Sequence, residues 1–172
     1  MMRTRVWGLA GLWAAAVIAA GGNVASATEG QSKGEQEIRA LQARMAAAVS
    51  ARDLDAVMKE YVPGNELFVF DSDLPRQHTG WDSYKKDWGA FLDSAVDVKA
   101  DVEDLGITVE GNAAFSHNLE HLSWTRKRDG SRGEMLMSVT DAYRRIDGKW
   151  LIVMEHWSLP VKDGKAVLMA KP

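Results

Sequence analysis

Four segments rich in β-forming residues fill the second half of the chain, and they restrict the fold more than any other feature. They span residues 96–111, 112–128, 133–146 and 149–161. The short stretches between them carry hairpin residues such as Asp147-Gly148. Consecutive strands joined by short turns pair antiparallel. The pattern therefore predicts an antiparallel meander.

The first half of the chain is predicted to be mainly helical. Apolar residues recur there at i, i+3, i+4 and i+7, the spacing of an amphipathic helix. Asp53 is a residue type that caps helix N-termini. The predicted order is helix 35–53, helix 54–62, strand 66–71, loop 72–80 and helix 81–95. Helices that precede a meander indicate an α+β fold. We expect a cone in which three N-terminal helices pack on a strongly curved antiparallel sheet.

The N-terminus has the pattern of an export signal. A short basic start precedes an uncharged apolar run, and Ala25-Ser26-Ala27 fits a small-x-small cleavage site. We predict that residues 1–27 form a signal peptide, that 28–34 form a flexible linker, and that 35–172 form one domain. The alternative is a retained N-terminal anchor. The expected location is secreted or periplasmic, with no membrane contact after cleavage.

Composition excludes several classes of function. The chain has no cysteine, so disulfides and thiolate chemistry are absent. The net charge is −3 and the basic residues are scattered. Because phosphate binding needs clustered Lys and Arg, nucleic acid is not an expected partner.

Several segments resemble a known superfamily. They are "LFVFDSDLPRQHTGWDSYKKDW", "AAFSHNLEHLSW" and "SVTDAYRRIDGKWLIVMEHWSLPV". The first predicted helix and the segment "ARDLDAVMKEY" at its end also match. Together with the element order, they are similar to nuclear-transport-factor-two-like proteins over about residues 35–161. Within that superfamily, the chain resembles SnoaL-like and ketosteroid-isomerase-like proteins.

The resemblance implies a cone with an open wide end and, often, dimers formed through the outer face of the sheet. It leaves the activity open, because this fold hosts isomerases, cyclases, dehydratases and binding domains alike. Relatives often end in an H-x-H-x-S-P strand. Here Met154 stands where the first histidine would be, and His156 takes the second position.

Strand register decides whether His156 faces the hollow. A three-residue loop closed by Gly148 would pair Arg145 with Lys149 and Ser138 with His156. One face would then carry a mixture of small and large residues, which we expect to line the hollow. That face would be Ser138, Thr140, Ala142, Trp150, Ile152, Met154, His156 and Ser158. A two-residue Asp-Gly turn would instead pair Val139 with His156. We favour the first register.

Three residues are candidates for acid–base catalysis. His156 is the first, because imidazole titrates near neutral pH and the favoured register points it inward. Asp71 follows an apolar strand and is either a base at the mouth of the hollow or a cap of its own turn. His117 is either a base or a hydrogen-bonded core histidine. His121 shares its face but would lie roughly 13 Å away at about 3.3 Å per residue, so we predict no metal site.

A second set of residues is predicted to contact a ligand. Aromatic side chains suit a flat apolar molecule, and hydroxyl groups can orient it. The ligand-binding candidates are Trp81, Trp124, Thr140, Ser158 and Tyr84. Trp88 and Trp150 are expected to pack in the core.

Two functions remain open from the sequence. The first is a cofactor-independent isomerase, cyclase or hydratase that acts on a small hydrophobic molecule. The second is a non-catalytic binding or dimerisation module. No known catalytic motif separates them. A homodimer is expected in either case, through an outer patch of Tyr143, Leu151, Val153 and Trp157.

Overall fold

The computed structural model of the chain describes residues 31–162 and 165–166, so the predicted signal peptide lies outside the described residues. The helices are α1 (Lys33–Ala51), α2 (Leu54–Met58) and α3 (Trp81–Ser94), with a 3-10 turn at Gly64–Glu66. The strands are β1 (Phe68–Phe70), β2 (Gln77–Thr79), β3 (Ala95–Glu110), β4 (Ala113–Arg126), β5 (Arg132–Ile146), β6 (Lys149–Ser158), β7 (Val161–Lys162) and β8 (Lys165–Ala166).

Six of these strands form one curved, unclosed sheet in the order β2-β1-β6-β5-β4-β3. The predicted meander is confirmed, since β3 to β6 pair antiparallel in sequence. β1 extends the sheet by pairing parallel to β6, and β2 folds back on β1. The α+β prediction is confirmed, and β2 is a strand in the segment predicted to be loop.

Helix α1 begins where its capping residues dictate. The Ser32 hydroxyl accepts from the Glu35 backbone, and the Glu35 carboxylate accepts from the Ser32 backbone, at 3.2 and 2.6 Å. This reciprocal capping box satisfies two N–H groups that the first turn leaves free. The helix starts two residues earlier than predicted and buries Ile38, Leu41, Gln42, Met45, Ala48 and Val49. The predicted apolar stripe is therefore the buried one.

Bulges bend the long strands over the helices. β3 carries two register shifts, one between Val96 and Lys99 and one between Glu103 and Gly106. Asp97 and Asp104 adopt positive φ angles of 51° and 52° at these points. An extra residue in one strand increases the local twist and bends the strand. The sheet thereby wraps around the helices and encloses the core.

The β5–β6 hairpin departs from the favoured register. Asp147 and Gly148 form a two-residue turn with φ of 49° and 79°, and Ile146 pairs with Lys149. Tyr143 then pairs with Ile152 but Ala142 pairs with Met154, so Val153 is an unpaired bulge residue. Beyond the bulge, Thr140 lies opposite His156. Neither register considered from the sequence holds along the whole strand.

The core lies between the helices and the concave face of the sheet. Trp88 and Trp150 are buried in it, as predicted. Three tyrosines are nearly inaccessible, namely Tyr61, Tyr84 and Tyr143. Over the described residues, none of the helices combines the length and apolar character needed to cross a membrane.

Candidate functional site

A pocket of about 320 Å³ opens between α3, the loop after β1 and the concave face of the sheet. Its walls are largely aromatic and aliphatic, which suits a small apolar molecule. Polar groups sit at its two ends, with Asp71 and Asp87 at the mouth and Tyr84 on the floor. The apolar lining comprises Leu74, Trp88, Ala90, Phe91, Leu122, Met135, Met137 and Trp157.

The floor of this pocket is hydrogen-bonded to a buried carboxyl group. The hydroxyl of Tyr84 lies 2.5 Å from Glu155 Oε2, and Tyr61 donates to the same carboxyl group from the other side at 2.9 Å. The Trp157 indole N–H donates to the Tyr84 hydroxyl oxygen at 3.2 Å. Glu155 is thus connected to the pocket through the Tyr84 hydroxyl.

Beyond the floor, a second polar cluster crosses the concave face. Gln42 of α1 donates to Asp141 Oδ2 at 2.7 Å. Ser116 and Tyr143 also donate to that oxygen, at 3.2 and 3.0 Å. Asp141 Oδ1 is buried and has no partner. Both side-chain polar atoms of the neighbouring Asn118 are likewise buried without a partner.

Burial raises the pKa values of the acidic groups on the concave face. Desolvation raises the pKa of Glu120 to about 8, and the nearby Asp141 contributes in the same direction. Desolvation and the Asp141 charge also raise the pKa of Glu155 well above its usual range. Desolvation likewise raises the pKa values of Tyr61 and Tyr84, so both hydroxyls remain protonated donors. Burial raises the pKa of Asp141 only to about 6, because Tyr143, Ser116 and Gln42 donate hydrogen bonds to it. The concave face therefore favours the protonated form of Glu120 and Glu155 beside an Asp141 that is largely ionised at neutral pH.

The mouth of the pocket carries a histidine between two carboxylates. His78 is 3% exposed, and its Nε2 atom lies 3.6 Å from Asp71 Oδ2 and 3.9 Å from Asp87 Oδ2. Its Nδ1 atom is 3.4 Å from the Ser83 hydroxyl oxygen. The imidazole ring packs against Tyr84 with ring centroids 5.3 Å apart. The mouth and the floor are thus in direct contact.

The predicted orientation of His156 is wrong. Its side chain is exposed on the outer face, where it packs edge-on against Phe70 at 5.5 Å between ring centroids. The bulge at Val153 inverts the parity of the strand end, so Glu155 and Trp157 turn inward instead. Thr140 and Ser158 are exposed on the same outer face and do not line the pocket.

His117 is also exposed on the outer face, because β4 turns Ser116 and Asn118 inward on either side of it. Its ring lies over Gly106 of the neighbouring strand, where a side chain would clash with it. Both alternatives for His117, a base in the hollow and a hydrogen-bonded core histidine, need an inward side chain. The structure places the side chain on the outer face instead.

The remaining predicted residues divide between the pocket and its surroundings. Asp71 lines its mouth and Tyr84 its floor. Trp124 stands behind the wall, packed edge-on against Phe91 at 5.5 Å between ring centroids. Trp81 lies elsewhere, in a shallow groove of about 1080 Å³ between α1, α2 and the β5–β6 turn. The Trp81 indole N–H donates there to the Met58 carbonyl at 2.9 Å.

That groove is larger than the pocket, but the carboxylate buried in it is already paired. Glu60 is 8% exposed and accepts two hydrogen bonds, both at 2.8 Å, from the exposed Arg44 guanidinium. Five alanines of α1 and α2 form part of its walls. At the mouth of the smaller pocket, the buried Nε2 atom of His78 has no hydrogen-bond partner, and for that reason we take the smaller pocket as the candidate site.

Sequence reasoning missed the buried acids and His78. The favoured register puts Glu155 and Asp141 on the outer face, and the sequence predicts a loop at His78. One signal was available in β4, where Ser116, Asn118 and Glu120 stand at every second position. Because alternate residues share a face, these three polar side chains lie together on one face of the strand.

Comparisons with known proteins agree with this architecture. The sequence model of the SnoaL-like domain family matches residues 38–162. No curated protein matches the chain. An NTF2-like protein of unknown function from Pseudomonas putida is 28% identical with a TM-score of 0.70, covering 83% of this chain and 100% of its own.

Two further solved structures share the fold. An NTF2-like superfamily protein from Salmonella enterica serovar Typhimurium is 20% identical, with a TM-score of 0.68 over 75% of this chain and 92% of its own. A protein described as a candidate dehydratase of the NTF2-like family, from Streptomyces avermitilis, is 14% identical. Its TM-score is 0.64 over 73% of this chain and 95% of its own.

Proposed function

The chain belongs to the SnoaL-like domain family, and from that premise we propose that it is a proton-transfer enzyme for a small, largely apolar molecule. The substrate carries a carbonyl or hydroxyl oxygen that docks on Tyr84. The reaction is an isomerisation, cyclisation or dehydration. The single observation that carries the proposal is the hydrogen bond between Tyr84, on the pocket floor, and the buried Glu155.

The proposed chemistry depends on which groups at the pocket floor carry protons. Burial raises the pKa of Glu155 and so favours its protonated form, which can donate its proton to the Tyr84 oxygen. The Tyr84 hydroxyl is then free to donate its own proton to a substrate oxygen. Trp157 and Tyr61 hold the two groups in place. Such a preorganised donor in a water-poor pocket stabilises negative charge as it develops on the substrate.

Each proton that moves from Glu155 through Tyr84 to the substrate has a donor and an acceptor. As the substrate oxygen takes the Tyr84 proton, the Glu155 proton moves to the Tyr84 oxygen and leaves a carboxylate. Tyr61, which donates to that carboxylate, stabilises it. A carboxylate at the pocket mouth, Asp71 or Asp87, accepts the proton that leaves the substrate carbon. When the substrate oxygen gives its proton back to the Tyr84 oxygen, Tyr84 returns a proton to Glu155 and the acid is restored. Tyr84 is the catalytic residue in this scheme, and Glu155 acts through it.

Conservative variants of the floor test the proposal. Conversion of unsaturated and β-hydroxy ketones is followed by enone absorbance. Tyr84→Phe should lower kcat by about 10²-fold or more, since it removes the donor but keeps the ring. Tyr143→Phe is the matched control, because it removes a buried hydroxyl from the second cluster, and it should change kcat only a few-fold. Equal rates in wild type and Tyr84→Phe would reject the assignment.

Ligand binding without turnover, which the alternative of a non-catalytic binding module predicts, can be measured in the same protein samples. Trp88 and Trp157 lie in the pocket wall, so their fluorescence reports occupancy. If a compound quenches this fluorescence saturably and neither the wild type nor a variant converts it, the protein is a binding module and the enzyme proposal fails.

We also propose that the protein is exported and loses residues 1–27. The basic start, apolar run and small-x-small site support this. The intact mass of the protein recovered from the periplasm should correspond to a chain that begins near Thr28, and recovery of the full-length chain would contradict it.

A further inference from the structure

We propose that Asp71, His78 and Asp87 bind one divalent transition-metal ion at the mouth of the pocket. This site departs from the sequence-based expectation of no metal. The inference rests on the geometry of these three side chains and is independent of the acid proposed on the floor.

The first observation is a buried histidine nitrogen that has no hydrogen-bond partner. His78 Nε2 is buried and makes no hydrogen bond, although the residue is 97% removed from solvent. A buried polar atom without a partner costs about 1–3 kcal/mol, so such atoms normally have one. The nitrogen faces the carboxylates of Asp71 and Asp87, and both lie beyond hydrogen-bond distance from it.

The second observation is the spacing of the three groups. Nε2 lies 3.6 Å from Asp71 Oδ2 and 3.9 Å from Asp87 Oδ2, and one ligand atom from each residue lies within 4.8 Å of the others. Two atoms that each bind an ion at about 2.1 Å stand about 3.0 to 4.2 Å apart for angles between 90° and 180°. Both nitrogen–oxygen distances fall inside that window. The two carboxylate oxygens lie within 4.8 Å of each other and would move into the same window when an ion binds.

Charge favours a cation at this position. With its proton on Nδ1, facing Ser83, His78 presents a lone pair to two carboxylates. Among the described residues, no lysine or arginine forms an ion pair with Asp71 or Asp87. An ion bound to all three groups would neutralise the carboxylates and satisfy Nε2 at once.

The three ligands come from three elements that hold them firmly. His78 lies in β2, opposite Val69 of β1, and Asp71 follows β1 with its backbone N–H bonded to the Arg76 carbonyl at 2.9 Å. Asp87 lies in the middle of α3. Because Asp71 and Asp87 also line the pocket, the open coordination positions would face a bound molecule.

The donor set selects the kind of ion. One imidazole nitrogen with two carboxylate oxygens suits zinc, iron(II) or manganese(II), whereas calcium and magnesium prefer oxygen ligands alone. Zinc and manganese are therefore the probes of choice. Neither requires a substrate, so binding is measured whether or not the enzyme proposal holds.

Calorimetric titration of the EDTA-treated protein with ZnCl₂ and MnCl₂ tests the site. We expect one ion per chain, and at least tenfold weaker binding in Asp71→Asn and in Asp87→Asn. Zinc should also raise the Tm of the wild type and leave that of Asp87→Asn unchanged. His78→Gln should abolish binding. If that variant does not fold, the two aspartate variants decide, since each keeps the size of its side chain.

A matched control is available on the outer face. His121 and Glu134 form a histidine–carboxylate pair with Nε2 and Oε1 2.6 Å apart. His121→Gln should bind zinc like the wild type, and so should Tyr84→Phe, which removes the floor donor. Absence of saturable binding, or equal loss in His121→Gln and Asp87→Asn, would overturn the metal site and leave the floor acid untouched.

Discussion

At the scale of single residues, Glu120 shows how burial sets the protonation of the interior. Its side chain points into the cone from β4, where it is 6% exposed. Desolvation raises its pKa from 4.5 in the unfolded chain to about 8. The folded protein therefore holds this proton more tightly than the unfolded chain does. Stability from this group is fully present below pH 4.5 and is lost as the pH rises to about 8.

We expect this linkage to appear when Glu120 is replaced by Gln. Between pH 5 and pH 8.5, the free energy of unfolding of the wild type should fall relative to that of Glu120→Gln. A shift of this size corresponds to a few kcal/mol, since one pKa unit is about 1.4 kcal/mol. Urea unfolding at several pH values measures it. Glu110→Gln, at an exposed position of β3, is the control.

The same two curves of unfolding free energy against pH can contradict the raised pKa of Glu120. If Glu120→Gln and the wild type lose stability in parallel, Glu120 is already ionised in the folded state. The buried proton would then have to reside on Asp141, the carboxyl group whose charge raises the Glu120 pKa.

At the scale of elements, Gly133 and Trp124 show how neighbouring strands fix the wall of the pocket. They lie directly opposite each other on β5 and β4. The indole ring covers the glycine, and a Cβ atom at residue 133 would clash with it. The same ring packs against Phe91, which lines the pocket. The absence of a side chain at Gly133 therefore positions the wall.

Gly133→Ala should destabilise the protein by about 1–3 kcal/mol, the usual cost of overpacking. The physical reason is that the indole cannot move away without losing its contact with Phe91. In a Trp124→Ala background the same change should cost close to nothing, because the clash is gone. Thermal unfolding of the four proteins of this double-mutant cycle gives the coupling. Equal costs in both backgrounds would show that the glycine is needed for its backbone instead.

At the scale of the whole molecule, β5 and the end of β6 turn the opposite face inward from the one expected, while Trp150 and Ile152 at the start of β6 face the core as predicted. Tyr143 and Trp157, predicted to form an outer dimer patch, are buried inside. The outer face instead presents a row of residues in register across four strands. The row consists of Phe68, Met154, Ala142 and Phe115. Phe115 is 52% exposed and Phe70, next to this row, is 43% exposed.

The homodimer remains a prediction, and we now expect it to form through this row. Placing a charge in the centre of an apolar contact opposes association, so Phe115→Asp should be monomeric where the wild type is a dimer. Sedimentation velocity at increasing concentration measures the difference. Val161→Asp, at an exposed apolar residue in β7, is the control. A wild type that stays monomeric at the highest concentration would remove the dimer.

Local signals in the sequence determined the elements and the fold class. Helical spacing identified the buried stripe of α1, hairpin residues located the turns, and the family resemblance is confirmed by the match over residues 38–162. Each of these properties depends on residues close together in the chain. Periodicity and turn chemistry report such short-range preferences directly.

The tertiary structure alone decided which side chains reach the pocket. One unpaired residue, Val153, turns Glu155 inward and His156 outward, and no local pattern marks a bulge of this kind. His78, Asp71 and Asp87 come together because β2 folds back on β1 beside α3. Successive side chains of a strand alternate between the two faces of the sheet. A single bulge therefore moves every later side chain to the opposite face. The candidate site therefore depends on pairing across the sheet, which the order of residues does not reveal.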